Sequence, residues 1–473
     1  MSSLKHNDIV IPEDGTDPFV NCKLDRKKYA DVLTDIVSGY ADGFVLAINN
    51  PWGEGKTTFV KMWRQQLENN DFKTLYFNAW ENDFQEEVII ALLSELEELR
   101  EKSKKNFESL LQKSATFLKK VAPAAVKGAV GKAIGDEAVA EIAAAALEFT
   151  AEEVEEQIQS FNEKKKGIKD FRTALENFVK KVDGGKPVVF IIDELDRCRP
   201  SYAIQVLEQI KHLFSVSGIV FVLSIDKKQL GNAVRGAYGS DRIDADEYLR
   251  RFIDLEYIIP KPNIQMFIEY LYDYYAFDDF ISSKKRSAYS NFNNDSDRLH
   301  TIPLLLFVNS GFSLRQLEKI FARIRVTLKS FSENQHVFPE ILVLISYLEM
   351  INPLLLDKIR NSEISIQKLI NELDDIVMPI SDSTNIRKIR ILVAGFMCKY
   401  ANVYMTKSRK NEEGLINSES VSLENKLLVK TKLEDNEHHF TKAILNNQNH
   451  GERVDLDLNF ILKKYDLTER IVN

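Results

Sequence analysis

Continuous apolar runs of strand length alternate with helical patterns through the first half of this chain. Residues 44–48 (Phe-Val-Leu-Ala-Ile) form one run, and residues 74–78, 187–192 and 218–224 form three more. Between them, residues 59–68 and 202–214 carry apolar side chains every three or four positions, the first helix starting at Lys56 or just after it. Strands apolar on both faces, separated by helices, are the pattern of a parallel sheet covered on both sides, an α/β fold. About 105 residues separate Trp80 from the third strand, far more than one crossover helix needs. The pattern there is a charged amphipathic helix over 86–105, an alanine-rich block, and a helix over 151–182. That predicts a helical insertion at about 84–184 within a sheet domain spanning 1–262.

After Pro260 the strand pattern stops. Residues 263–280 and 313–328 read as helices, separated by a polar stretch, 282–298, that reads as a mobile loop. A mostly α-helical region of unassigned role follows over 333–473, with a flexible hydrophilic break at 406–419. No fixed-period repeat is present.

Composition narrows the classes. An apolar content of 44% and a charged content of 28% belong to a soluble globular chain. A net charge of −8 gives no electrostatic reason to expect nucleic acid, though it leaves room for a local basic patch. No window has the run of uncharged apolar residues a membrane span requires. The nearest, 121–149, is interrupted by Lys127, Lys132, Asp136, Glu137 and Glu141, and reads as a soluble helix. The N-terminus has no secretory pattern. Cys22, Cys198 and Cys398 are far apart, make no metal spacing, and read as free buried thiols of a cytoplasmic protein.

The chemistry begins where the first strand ends, at Asn49-Asn50-Pro51-Trp52-Gly53-Glu54-Gly55-Lys56-Thr57-Thr58. A phosphate loop aims consecutive backbone N–H groups at phosphate oxygens and adds the positive end of the following helix. Gly53 and Gly55 permit that backbone, Lys56 reaches the β- and γ-phosphates, and the Thr57 hydroxyl is placed to ligate Mg2+. The usual first glycine is replaced by Asn50, which is expected to tolerate an unusual backbone angle in a tight turn. A second motif, the strand through Ile192 ending in Asp193-Glu194, supplies acids of the kind such a loop works with. Asp193 is the magnesium-holding candidate, and Glu194 the group that orients and deprotonates the attacking water. Beyond the fourth strand, Asp226 or Ser224 is placed to sense the γ-phosphate, while Asp226 reads equally as the N-cap of the next helix.

These residues resemble the KAP family of P-loop NTPases. The resemblance rests on Pro51-Trp52-Gly53-Glu54-Gly55-Lys56-Thr57-Thr58, Phe77-Asn78-Ala79-Trp80 and Ile192-Asp193-Glu194-Leu195-Asp196-Arg197-Cys198. Two later segments extend it: Tyr248-Leu249-Arg250-Arg251-Phe252 and Phe312-Ser313-Leu314-Arg315-Gln316-Leu317, the latter with Leu314 where proline is usual. It covers residues 17–328. It implies an additional-strand sheet core, a helical lid over 263–332, and ATP as the nucleotide. By analogy with ring-forming ATPases, Arg250 or Arg251 would reach a neighbouring subunit's γ-phosphate, and Arg315 would contact phosphate from the lid. Trp80 and Asn78 occupy family positions, with Trp80 expected in the core; Asp196 and Arg197 either support the acidic pair or face a neighbour. Some bacterial members are linked to anti-phage defence, whereas animal members are membrane scaffolds, and a soluble chain resembles the first group.

Three functions remain open at this stage. One is an ATPase whose cycle drives conformational change or assembly, as a homo-oligomer or with a partner held by the C-terminal helices. Another is a nucleotide-gated scaffold with slow or no hydrolysis. The third, least supported, is a phosphotransferase acting on a small acceptor.

Overall fold

Five parallel strands build the sheet: β1 (Asp42–Asn49), β2 (Thr74–Asn78), β3 (Val188–Asp193), β4 (Ile219–Ile225) and β5 (Leu255–Tyr257), in the spatial order β2-β3-β4-β1-β5. The computed structural model describes residues 9–13, 15–40, 42–130, 151–182, 184–408, 414–417, 420, 423, 426–449 and 458–472. Its chain divides into two units, Asp8–Lys261 and the residues from Pro262 onward.

In the first unit the additional strand is β4, which lies between the loop strand β1 and the acid strand β3. Every residue of β3 and β4 is buried, which is why they read as unbroken apolar runs. Their side chains alternate between two cores. Val189, Ile191, Val220 and Val222 join Leu46 and Ile48 against helices α1 (Lys27–Gly39) and α2 (Lys56–Asn69). On the opposite face Phe190, Ile192, Phe221 and Leu223 pack with Val45 and Ala47 against α3 (Val88–Leu96) and the insertion. The three residues of β5 were not legible as a strand, because an edge strand this short and partly exposed has no apolar run.

The helix expected over 86–105 is α3, a 3-10 turn (Glu97–Lys102), and then the start of α4 (Lys104–Val130). Helix α4 packs against α5 (Ala151–Val182) through Phe107 on Phe178, with centroids 5.4 Å apart, and Phe117 on Phe171 at 6.3 Å. Residues 131–150, which hold much of the alanine-rich block, lie outside the described residues. Among the described residues no helix is long and apolar enough to cross a membrane. The helix expected at 202–214 is α6 (Pro200–Gln209) closed by a π-helical turn (Ile210–Phe214), and α7 (Lys227–Tyr238) and α8 (Ala245–Leu249) follow.

The second unit, among its described residues, is built of helices. One correction concerns 282–298, which is not a loose loop. Arg286 is fully buried there, its Nη2 2.5 Å from Asp295, its Nη1 donating to the carbonyls of Gln335 (2.7 Å) and Glu333 (3.3 Å). Its guanidinium also lies 4.2 Å from the Phe292 ring centroid. One internal cation thus fastens three segments, and a polar composition says nothing about such a partner. The break expected from 406 begins later, since the helix Ile386–Ser408 runs through its first three residues.

Candidate nucleotide-binding site

Because all five strands are parallel, their C-terminal ends form one row. Register places Asn78 beside Asp193, Asp193 beside Ser224, and Asn49 beside Ile225. In open parallel sheets this edge is where ligands bind. Residues 51–55 leave β1 there and enter α2 at Lys56. Gly53 (φ 85°) and Gly55 (φ 72°) both adopt the left-handed backbone that lets the loop curl on itself. Thr57 and Thr58 sit half-buried in the first turn of α2, and Pro51 and Trp52 are exposed.

Lys56 is buried, and its Nζ donates to the loop's own carbonyls, Asn50 at 2.6 Å and Pro51 at 3.3 Å. Burial pushes its pKa down, opposed by the charges of Asp196, Asp226 and Asp193. Burial likewise raises the Glu54 carboxyl, which Arg26, Lys261 and Lys56 pull back. A buried ammonium within electrostatic reach of three carboxylates is a place where phosphate negative charge and a bridging cation both find partners.

The two asparagines at the loop entrance do something the sequence did not reveal. Asn50 is not in the left-handed region, so backbone tolerance is not its role. Its side-chain amide, buried, donates to the Ile259 carbonyl and accepts from the Ile259 N–H, both at 2.9 Å. Asn49 accepts from Lys227 N–H (2.9 Å) at the start of α7 and donates to Glu256 on β5 (2.7 Å). Two amides thus fasten the loop entrance to the edge strand and to the chain beyond it.

The acids stand at the end of β3. Asp193 is 1% exposed, and accepts from the Tyr76 hydroxyl and the Glu194 N–H, each at 2.9 Å. Glu194 has φ 61°, an uncommon conformation for a residue with a side chain, and its carboxylate pairs with Arg197 at 2.8 Å. Burial raises its pKa; Arg197 and a hydrogen bond from Asn78 oppose the shift. Asp196 is buried and accepts from the Trp52 indole N–H, tying the loop to the acidic turn. Trp80, expected in the core, is 54% exposed with Arg197 over its ring at 5.7 Å; its position just past β2 carries it out of the sheet.

Asp226 caps α7, accepting from Lys228 and Gln229 N–H at 3.1 and 3.2 Å, while remaining close enough to Lys56 to act on its charge. The Ser224 hydroxyl beside it is buried without a hydrogen-bond partner. Arg250 pairs with Glu247 (3.0 Å) on the surface, and Arg251 is exposed in the turn after α8. Arg315 is exposed one residue into the helix Leu314–Lys329 of the second unit, whose start is a capping box between Ser313 and Gln316. The cysteines are free; Cys198 is buried, whereas Cys22 and Cys398 are only half-buried.

Comparison with curated proteins finds no match. Among solved structures, the Aeropyrum pernix ORC2 protein, determined as ADPNP and ADP complexes, aligns over 90% of this chain and 95% of its own. It has 13% identity and a TM-score of 0.34, too loose a likeness to support any inference. A family model, the KAP family P-loop domain, matches residues 26–402. With a phosphate loop, its lysine and an acidic strand end on one parallel-sheet edge, the chain belongs to the KAP family of P-loop NTPase domains.

Proposed function

We propose that the chain binds ATP at this loop and hydrolyses it with Mg2+, using the cycle to drive conformational change or assembly. The observation that carries the reading is the parallel sheet edge, where the loop with its buried Lys56 leaves β1 and the acids Asp193 and Glu194 end β3. Among the described residues no three His, Cys, Asp or Glu side chains converge as a metal centre. Mg2+ keeps water and phosphate oxygens and takes one or two ligands from the protein. Thr57 and Asp193 would supply those, and the bound cation would neutralise charge on the β- and γ-phosphates. Lys56 leaves its loop carbonyls for phosphate oxygens. Glu194 takes a proton from water as that water's oxygen bonds the γ-phosphorus, and the bond to the β-bridging oxygen breaks, giving ADP and phosphate.

A second reading has its own support. Glu194 is engaged by Arg197 and Asn78, so a nucleotide-gated scaffold with slow turnover fits this arrangement. Phosphate release decides between them: the hydrolase reading predicts turnover by wild type, and loss in both Lys56→Ala and Glu194→Gln. Equal release by all three would sink it.

Arg251 acting on a neighbouring subunit and Arg315 as a phosphate-contacting arginine belong to the same proposal. So does assembly through the C-terminal helices. A role in anti-phage defence rests on the family association alone. Expression of the chain should lower phage plating and Lys56→Ala should abolish that effect; no protection would remove the assignment.

A further inference from the structure

Arg26 is the last residue before α1 and is 3% exposed. Its Nη1 donates to the Gly55 carbonyl, inside the phosphate loop, at 3.2 Å. Its Nε and Nη2 are buried and meet no acceptor. A guanidinium that has given up water for one hydrogen bond is an exception to the rule that buried polar groups are satisfied.

Two observations say what the unmet donors face. The acid-bearing strand β3, and β4 beside it, lie on one side of β1, and β5 lies on the other. The loop's Trp52 donates to Asp196 of the acidic turn that follows β3, so the terminal phosphate of a nucleotide attacked as proposed above points toward that side. Arg26 holds the opposite end of the loop, at the Gly55 carbonyl, which also accepts from the Phe59 N–H at 3.2 Å and so points along α2, away from the cradle of loop N–H groups. Arg26 therefore stands toward the other end of the ligand. Tyr29, in the first turn of α1 just after Arg26, is half-buried against the core under α1 and α2, as are Tyr257 of β5, Ile9 and Ile11. An apolar flank with one convergent polar group is what a nucleoside requires.

We propose that Arg26 is a nucleotide-binding residue. It donates through Nε and Nη2 to an acceptor of the nucleoside, a base nitrogen or a ribose oxygen, while Nη1 holds the loop at Gly55. The proposal rests on the nucleotide reading above and adds the end of the ligand opposite the phosphates.

The test is calorimetric binding of ATP, ribose triphosphate and inorganic tripolyphosphate, each with Mg2+, to the full chain and to its Arg26→Lys and Arg26→Met variants. Lysine keeps the charge and the reach to Gly55 but has no fork. Both variants should lose about ten- to a hundredfold in ATP affinity, while Arg26→Lys keeps tripolyphosphate affinity within about threefold. If the base is the acceptor, Arg26→Lys also erases the preference for ATP over ribose triphosphate; if ribose is, both weaken together against tripolyphosphate. Wild-type ATP affinity in Arg26→Lys overturns the proposal. So does equal weakening of ATP and tripolyphosphate in Arg26→Lys, which would make Arg26 a loop support only. A wild-type chain that binds none of the three overturns the nucleotide reading itself.

Discussion

Replacing Asn50 by alanine removes both halves of the amide pair with Ile259, a residue that is itself 1% exposed. The Ile259 N–H and carbonyl are then left buried without partners, at about 1–3 kcal/mol each. The backbone gives nothing back, because Asn50 does not occupy a left-handed conformation that a small residue would relax. For a unit spanning Asp8–Lys261, each kcal/mol moves the midpoint by about 2–4 °C, so the expected fall is roughly 4–24 °C. Asn50→Gly should behave like Asn50→Ala. Asn50→Asp keeps the acceptor for Ile259 N–H but sets a carboxylate against a carbonyl, and should be at least as damaging. Thermal unfolding of the full chain by circular dichroism reads the effect, and ATP affinity measured on folded protein should fall with it. Melting of Asn50→Ala within a degree of wild type would refute the clasp.

Other expectations follow from the same geometry. Arg286→Met strands Asp295 in the second unit, and removing one partner of a buried pair costs about 3–5 kcal/mol; an unchanged melting temperature would restore the loose-loop reading of 282–298. Glu194 must be unprotonated to accept a proton, and burial lifts its pKa above the ordinary 4.5. Turnover should therefore be lost as pH falls through a value above 4.5, and an acid limb at or below it would contradict the role. Arg197→Ala frees the Glu194 carboxylate from its 2.8 Å pair, so phosphate release should rise about two- to fivefold; a fall would make Arg197 part of the chemistry. Mixing Lys56→Ala chains with Arg251→Ala chains should restore activity if Arg251 works across subunits, and no rescue would confine each site to one chain.

The loop and the four buried strands were legible because their signals are local: an apolar run, two glycines, a lysine and threonine where a helix begins. Asn50 was misread because its partner lies 209 residues away, and no local pattern reports a side chain paired to a distant backbone. Arg26 escaped notice for the same reason: ahead of α1 it looks like any solvated arginine, and only packing shows it buried against Gly55. Trp80 shows the opposite failure, a large apolar residue beside a strand that composition assigns to the core and topology turns outward. The loose loop at 282–298 failed through the polarity of its residues, which hid one arginine whose terminal nitrogens are all engaged inside. The lone signal that would have found the Asn49–Asn50 clasp is the doubled amide at a position where the loop pattern wants glycine.

The central claim is that a phosphate loop entered through asparagine is a working nucleotide site. Equilibrium titration of ATP with Mg2+ tests it most directly. One site per chain is expected in wild type and in Glu194→Gln, and none in Lys56→Ala. Unchanged binding in Lys56→Ala, or none in wild type, would contradict it.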